Sequence, residues 1–259
     1  MFLVAAQPGE EEVWQGFLTW LKTAKATDSP GALFADYQKH LASAGASDDE
    51  VKREYAIVSR LMRTRDDGWQ VMFNNIYASK QPGFSVRPNG TLVAAVENRK
   101  PGRALDAGMG QGRNSVFLAL KGWDVTGFDI SDEGLAVARK DASKAGVKIR
   151  AVQISGAKFD YGTNQWDLIV FSYVPFPLTD PAFVHRLTQA LRPGGLVVVE
   201  SFASDSSAKH RKPVDIDPPR MKAAFEPAFK IHRFEDQMDT PDWTTEKSRL
   251  VRMVAEKNK

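Results

Sequence analysis

A short glycine-rich segment holds the residues whose types and spacing are best suited to chemistry. Within Leu105–Ser115, Gly108, Gly110 and Gly112 alternate with other residues, and Arg113 follows directly. A glycine turn between a strand and a helix lets backbone approach a ligand, and the helix N-terminus offers unpaired N–H donors. We therefore expect this turn to bind a ligand with an anionic end.

A nicotinamide dinucleotide is one candidate ligand for such a turn. Its fingerprint, Gly-x-Gly-x-x-Gly, requires glycine at the sixth position, where this chain has Arg113. An arginine side chain cannot supply the close helix–strand packing that the third glycine supplies. The sequence therefore disfavours a nicotinamide-dependent oxidoreductase.

An acidic residue at the end of the next predicted strand points to a nucleoside. Asp129 closes that strand, and Ile130 and Ser131 follow it. A carboxylate at this place can accept hydrogen bonds from both hydroxyls of a ribose. The alternative is that Asp129 or Ser131 caps the following helix. Because Ser131 is already available as the cap, ribose binding is favoured for Asp129.

Candidates for proton transfer are few. His210, in the basic segment Lys209–Lys212, is the best candidate general base because the pKa of histidine lies near neutral pH, although a loop histidine is often only solvated. Tyr173 is the second predicted catalytic residue.

The chain has no cysteine, which excludes a thiol nucleophile and cysteine-ligated metals. The histidines, at positions 40, 185, 210 and 232, have no short spacing, so we expect no metal site.

The elements that must position these residues alternate from Gly102 onward. Short apolar segments alternate with helical periods, which is typical of a parallel sheet covered by helices. The five strands predicted in this region are Arg103–Ala107, Asp124–Asp129, Lys148–Ile154, Asp167–Tyr173 and Leu196–Phe202. Two more, near Phe229–Glu235 and Ser248–Ala255, leave no room for a helix between them. We expect an α/β, Rossmann-like, doubly wound, mostly parallel seven-stranded sheet with an antiparallel last strand.

The sequence pattern of the first ninety residues predicts helices. Apolar residues in Val13–Leu21 recur on one helix face, and Ser47 with Glu50 matches a capping box. The expected organisation is a helical N-terminal extension over residues 1–90, acting as a cover, and a ligand-binding domain over residues 91–259.

Substrate contacts are expected where parallel strands end, because ligands of open α/β sheets bind outside the carboxyl ends of the strands. Ser172 and Tyr173 leave the fourth predicted strand there. The stretch from position 77 to position 89 could cross the mouth of the site. The predicted substrate-binding residues are therefore Tyr77, Phe84, Arg87 and Tyr173. A core role for Tyr77 and a surface ion pair for Arg87 are the alternatives.

The glycine turn and the following helix resemble a known family. Gly112–Ala119, continued by Gly122–Val125, is similar to the tellurite-resistance-type branch of the class I S-adenosylmethionine-dependent methyltransferases, and the wider resemblance covers Gly102–Glu256. It implies that Asp106–Gly112 holds the methionine end of S-adenosylmethionine, with Asp106 facing the ammonium group, and that Asp129 holds the ribose. A bond from Asp106 that fixes the turn is compatible with this role. The implied cofactor-binding residues are Asp106, Gly108, Gly110, Gly112, Asn114, Asp129, Ile130, Ser155, Gly156, Ala157 and Ser172.

Two departures from the family pattern bear on the ligands. The acid that often receives the adenine amino group is replaced by Ser155-Gly156-Ala157, where the Ser155 hydroxyl or the backbone would accept that bond, with Phe159 packing on the ring. The segment Ser172–Phe176 lacks the Asn/Asp-Pro-Pro-aromatic motif of amino methyltransferases. Methylation of a nucleobase amine is therefore disfavoured.

Charge and hydropathy limit the partners. The 259 residues carry 35 Lys and Arg against 32 Asp and Glu, a net charge of +3, and the basic residues are dispersed. A dispersed charge is a weak footprint for nucleic acid. No apolar segment approaches the ~20 residues of a membrane helix. Met1–Ala6 lacks the basic region of a secretion signal, so a plain N-terminus is favoured over the alternative, the remnant of a trimmed leader. The expected location is therefore the cytoplasm.

The predicted function is in-line methyl transfer from S-adenosylmethionine to a small molecule, such as a thiol or another soft nucleophile. The alternatives are a nucleic-acid or protein methyltransferase and a non-catalytic sensor of S-adenosylmethionine or S-adenosylhomocysteine. The sequence does not define an oligomeric state.

Overall fold

The computed structural model describes residues 8–25, 30–79, 84–204, 215–242 and 245–258. Its chain divides into two compact units. The first comprises the described residues before position 84 together with Ile130–Glu133, and the second comprises Phe84–Asp129 and the described residues from Gly134 onward. This division falls seven residues before the end of the predicted helical extension, and the roles of the two predicted domains stay predictions.

The first unit contains four helices: α1 (Glu10–Leu21), α2 (Pro30–Ser43), α3 (Asp48–Leu61) and α4 (Asp66–Ala78). The capping box of α3 is formed, with the Ser47 hydroxyl and the Glu50 carboxylate bonding each other's backbone N–H groups. Trp14 is completely buried, and its indole N–H donates to Asp67 at 3.0 Å. The unit therefore has an apolar core of its own.

The second unit contains the sheet. Its elements are α5 (Gly90–Val96), β1 (Arg103–Ala107), α6 (Arg113–Leu120), β2 (Asp124–Asp129), α7 (Asp132–Lys144), β3 (Arg150–Gln153), β4 (Trp166–Ser172), α8 (Pro181–Ala190), β5 (Leu191–Phe202), α9 (Pro218–Phe225), β6 (Phe229–Asp239) and β7 (Ser248–Lys257). The first two residues of α7 cluster with the helical unit.

The strand order is β3-β2-β1-β4-β5-β7-β6. The pairs among the first five strands are parallel, and β7 runs antiparallel to both of its neighbours, β5 and β6. The predicted seven-stranded, mostly parallel sheet with an antiparallel last strand is confirmed. The order reverses at β1 and β4, and at such a switch point open α/β sheets bind their ligands.

Alternating residues of the central strands fill the cores on the two faces of the sheet. In β4, Ile169 and Phe171 belong to one buried cluster, while Leu168 and Val170 belong to the other. In β5, Val197 and Val198 divide between the clusters in the same way. Because successive side chains of a strand point to opposite faces, these apolar residues form a sheet that is covered on both sides.

Two of the differences from the sequence prediction concern β5 and α5. Strand β5 begins at Leu191, five residues earlier than expected, because the predicted break at Arg192–Gly195 is an irregularity in its pairing with β4. Helix α5 was not predicted. It begins after Asn89, whose side-chain oxygen accepts a bond from the backbone N–H of Leu92. Seven residues are too few for a reliable helical period.

Candidate cofactor site

The glycine turn connects β1 to α6 and has the backbone that its sequence predicts. Gly108, Gly110 and Gly112 have positive φ angles of 68°, 52° and 79°, which disfavour any residue with a side chain. A Cβ on Gly112 would lie 2.6 Å from the Cβ of Ala138 in α7. A Cβ on Gly108 would lie 2.6 Å from the side chain of Val174. The glycines therefore allow both the turn and its close packing.

Asp106 is buried directly beneath the turn, with 2% of its surface exposed. Its carboxylate accepts a hydrogen bond from the Ser115 hydroxyl of α6 at 2.7 Å. Burial raises the pKa of Asp106 to about 6, while Ser115 and the charge of Arg113 act in the opposite direction. The bond between Ser115 and the buried carboxylate fixes the turn. The negative charge of the carboxylate is suited to an ammonium group.

Asp129 lies at the end of β2, next to the same turn. One carboxylate oxygen accepts a bond from the backbone N–H of Gly110 at 2.9 Å, and the backbone carbonyl accepts one from Ile154 at 3.0 Å. The predicted ribose-binding acid and the predicted glycine turn are therefore adjacent. Ile130 follows Asp129 and is half-buried.

The segment after β3 contains the predicted adenine contacts. The Ser155 hydroxyl is buried and has no hydrogen-bond partner. A buried polar group of this kind is available to bond a ligand. A Cβ on Gly156 would lie 2.2 Å from the ring of Phe176, so this glycine allows that ring to approach, and Ala157 is exposed. Phe159 stacks on Phe128 with their ring centroids 4.2 Å apart. The sequence reasoning missed Val174 and Phe176 as residues that pack on the turn and on Gly156.

Ser172 and Tyr173 leave the carboxyl end of β4, as predicted. The Ser172 hydroxyl accepts a bond from Arg113 at 3.1 Å. Tyr173 has a positive φ of 56°, which is uncommon for a residue with a side chain and marks local strain. Its backbone N–H and its hydroxyl both bond Glu200, at 2.8 and 2.7 Å. Two bonds to one residue therefore fix Tyr173.

Glu200 is a site residue that the sequence reasoning missed. It is 2% exposed and also accepts bonds from the Thr91 hydroxyl at 2.5 Å and from Arg252 at 3.1 Å. Burial raises the pKa of Glu200, but the hydrogen bonds from Thr91 and Tyr173 and the charge of Arg252 outweigh it, so the pKa lies below its usual value. A glutamate at the end of the apolar strand β5, and an arginine within the apolar strand β7, were the available signals.

Burial and the neighbouring Glu200 carboxylate raise the pKa of Tyr173 above its usual value. The phenol therefore keeps its proton near pH 7 and donates a hydrogen bond to Glu200. Its oxygen still has lone pairs that can accept a bond from a ligand.

Five predicted site residues remain, namely His210, Tyr77, Phe84, Arg87 and Asn114. His210 falls outside the described residues. Tyr77 lies in α4 of the helical unit, where its ring stacks on Phe73 with 6.5 Å between centroids. Phe84 is half-buried and Arg87 is exposed, and both belong to the sheet unit. Asn114 is buried, and its side-chain oxygen accepts a bond from the backbone N–H of Asn89 at 2.9 Å.

Two open cavities are lined by residues other than those of this site. One of about 370 Å³ is in the helical unit between Trp20 and His40. Another, of about 390 Å³, lies at the amino end of the sheet and is bordered by Gly102, Asp167 and Arg192. We place no cofactor site in the second cavity because ligands of open parallel sheets bind at the carboxyl ends of the strands. Across the described segments, no group of three or more His, Asp or Glu residues is arranged to hold a metal ion.

Comparison with known proteins agrees with this geometry. A family profile described as a methyltransferase domain matches residues 104–195, which contain the turn, Asp106 and Asp129. Residues 104–195 therefore belong to a methyltransferase domain. This confirms the family expected from the sequence, and with it S-adenosylmethionine as the cofactor.

Curated proteins that are similar to part of this chain are named as methyltransferases. A probable S-adenosyl-L-methionine-dependent methyltransferase TehB from Haemophilus influenzae is 29% identical over 140 residues, which are 50% of this chain and 48% of that protein. A ubiquinone biosynthesis O-methyltransferase from Aeromonas salmonicida is 34% identical over 108 residues, 41% of this chain and 45% of that protein. The chain thus spans about half the length of the curated relatives it matches.

The crystal structure of TehB from Haemophilus influenzae has the same fold. It matches with a TM-score of 0.56 and 20% identity, covering 73% of this chain and 67% of that one. This likeness shows that the two proteins share a fold.

Proposed function

We propose that this protein transfers a methyl group from S-adenosylmethionine to a small molecule. The observation that carries the proposal is the convergence of Asp106 and Asp129 on one glycine turn. The buried carboxylate of Asp106 is suited to the cofactor's ammonium group, and Asp129 is suited to its ribose. The unpartnered hydroxyl of Ser155 is suited to the adenine edge. Together these groups fit the three polar parts of S-adenosylmethionine.

The proposed reaction is an in-line displacement at the methyl carbon. The acceptor's lone pair forms the new bond to carbon as the bond to sulfur breaks, so the sulfonium becomes a neutral thioether. Such a reaction depends on alignment and close approach, which contribute on the order of 7–11 kcal/mol in well-oriented systems. The protein's main task is therefore to hold both reactants and to exclude water.

The groups near the carboxyl ends of β4 and β5 support a soft nucleophile as the acceptor. Tyr173 is neutral near pH 7, and Glu200 already accepts bonds from Thr91, Tyr173 and Arg252, so neither serves as a base there. A soft nucleophile such as a thiol is reactive without an enzyme base, since a thiol with a pKa of about 8.5 is partly ionised near neutral pH. His210 remains the proposed base for an acceptor that arrives protonated.

The test is calorimetric titration with S-adenosylhomocysteine, followed by methyl transfer to a panel of thiols, phenols, amines and halides. Binding with turnover of at least one small acceptor supports the proposal. No binding of the nucleoside would contradict it. Turnover only with nucleic acid or protein would show that the acceptor class is wrong.

A non-catalytic sensor is the competing function from the sequence. It would bind S-adenosylmethionine and S-adenosylhomocysteine without consuming the methyl donor in any cell extract. For the methyltransferase, we also propose a cytoplasmic location and no nucleic-acid partner. Residues 1–90 are proposed to cover its site. In the part of the chain that the structure describes, no helix is long and apolar enough to cross a membrane.

A further inference from the structure

Arg113, which follows the glycine turn, makes contacts that the cofactor site described above does not require. It is the first residue of α6, and its guanidinium donates to the carbonyl of Arg87 at 2.6 Å. It also donates to Asp242 at 2.8 Å and to the Ser172 hydroxyl at 3.1 Å. One side chain thus joins three segments that are distant in sequence. We refer to Ser85–Asn89, Ser172 and Asp242 as the rim.

The geometry of this contact requires arginine. A guanidinium has five N–H donors in a fixed plane, whereas a lysine ammonium is a compact charge on a flexible stem. The Arg113 side chain is only 12% exposed and that of Asp242 only 20%, so water replaces these bonds poorly. The ion pair is therefore better placed to hold its segments than an exposed pair would be.

Further bonds connect the rim to the turn. Asn89 donates its side-chain N–H to the same Asp242 oxygen at 3.1 Å, and its backbone N–H to Asn114 at 2.9 Å. The Gln111 side chain donates to the carbonyl of Ser85 at 2.8 Å. The rim is therefore held by residues of the turn and the start of α6, namely Gln111, Arg113 and Asn114.

The rim lies where a methyl acceptor has to approach. Ser172 ends β4, next to β1 in the sheet, and Arg113 begins the helix that follows the turn. We propose that Arg113 is a positioning residue that fixes the rim as the acceptor-side wall of the methyl-transfer site. This inference rests on the proposed function, but the order of the rim can be measured without any ligand.

The first experiment compares hydrogen exchange in the unsubstituted 259-residue chain and in Arg113→Lys, which keeps the charge and loses the planar guanidinium. We expect the peptide spanning residues 84–92 to exchange at least about tenfold faster, because the substitution removes hydrogen bonds made by a charged group. Arg192→Lys is the matched control, because Arg192 also bonds a carboxylate, Asp167, and a backbone carbonyl, but at the amino end of the sheet. Unchanged exchange in Arg113→Lys would overturn the proposal.

The second experiment guards against general unfolding. Asp242→Ala removes the rim partner and leaves Arg113 intact, so it should accelerate exchange in the same peptide. The double variant should accelerate exchange by less than the product of the two single effects, because the ion pair between Arg113 and Asp242 is lost in both single variants. Additive effects of the two substitutions would contradict a shared role.

The third experiment separates the rim from the cofactor, with S-adenosylhomocysteine as the probe. Arg113→Lys should leave its affinity nearly unchanged while lowering methyl transfer to the best acceptor of the panel. Arg113→Gln should also move the pH midpoint of nucleoside binding above about 6, because the charge of Arg113 lowers the pKa of Asp106 against burial and the charge of Asp129. A loss of nucleoside affinity in Arg113→Lys as large as the change in exchange would show that Arg113 contacts the cofactor instead.

Discussion

The carboxylate of Asp129 accepts a hydrogen bond from the backbone N–H of Gly110 at 2.9 Å, so the acid at the end of β2 supports the turn that follows β1. This relationship gives Asp129 two tasks. It orders the turn, and in the proposed function it binds the ribose. The two tasks respond differently to substitution.

Asp129→Ala should weaken S-adenosylhomocysteine binding by about 1–3 kcal/mol, because it removes hydrogen bonds made by a charged group. Asp129→Asn should lose less, since its amide oxygen can still accept the bond from Gly110. Isothermal titration calorimetry of both variants measures the difference. Unchanged affinity in Asp129→Ala would show that the ribose assignment is wrong.

Asp106→Asn should separate stability from binding. The folded state raises the pKa of Asp106 from 3.8 to about 6, so the folded state binds the proton more tightly than the unfolded chain. Stability therefore falls as pH rises from about 4 to about 6, the range between the two pKa values.

Removing this buried charge should stabilise the protein above that range by about 1–3 kcal/mol, with no gain below pH 4. The same substitution should weaken S-adenosylmethionine binding. Thermal unfolding at pH 4 and pH 7.5, together with calorimetry, tests both parts. A variant that is less stable than the natural protein at pH 7.5 would contradict the desolvation argument.

Gly112→Ala should destabilise the protein more than Gly146→Ala does. Both glycines have positive φ angles, 79° and 71°, so both substitutions incur similar backbone strain. Only at Gly112 does the new Cβ meet a neighbour, the Cβ of Ala138 at 2.6 Å, whereas nothing lies within 4 Å at Gly146. We expect an additional loss of about 1–3 kcal/mol from overpacking. Urea unfolding of both variants measures it, and equal losses would indicate that α7 moves aside freely.

Tyr173→Phe and Tyr161→Phe form a matched pair of buried phenol deletions. The Tyr173 hydroxyl donates to Glu200, whereas the Tyr161 hydroxyl is buried without a hydrogen-bond partner. Tyr173→Phe should cost about 1–2 kcal/mol of unfolding free energy, and Tyr161→Phe should be neutral or stabilising, because it removes an unsatisfied polar group. Urea unfolding compares them. A larger loss at Tyr161 would reverse this interpretation of the two hydroxyls.

Local patterns were enough to predict the sheet and the turn. Apolar segments of strand length, helical periods and capping residues depend on neighbours in the chain, so Ser47 with Glu50 and the strand ending at Asp129 could be recognised directly. The glycine spacing before Arg113 reflects a backbone that only glycine adopts readily, which is also a local property. The family followed from the same residues.

The tertiary structure decided which polar groups share a site. Glu200 receives bonds from Thr91 and Arg252, and Arg113 from α6 joins Ser172 and Asp242, although these residues are far apart in sequence. Such pairs depend on the order of the strands and on the path of the loops at the edge of the sheet. A single sequence carries no periodic signal for the strand order or for the loop path. A buried charge within an apolar strand indicates that a partner must exist. Only the packed chain identifies that partner.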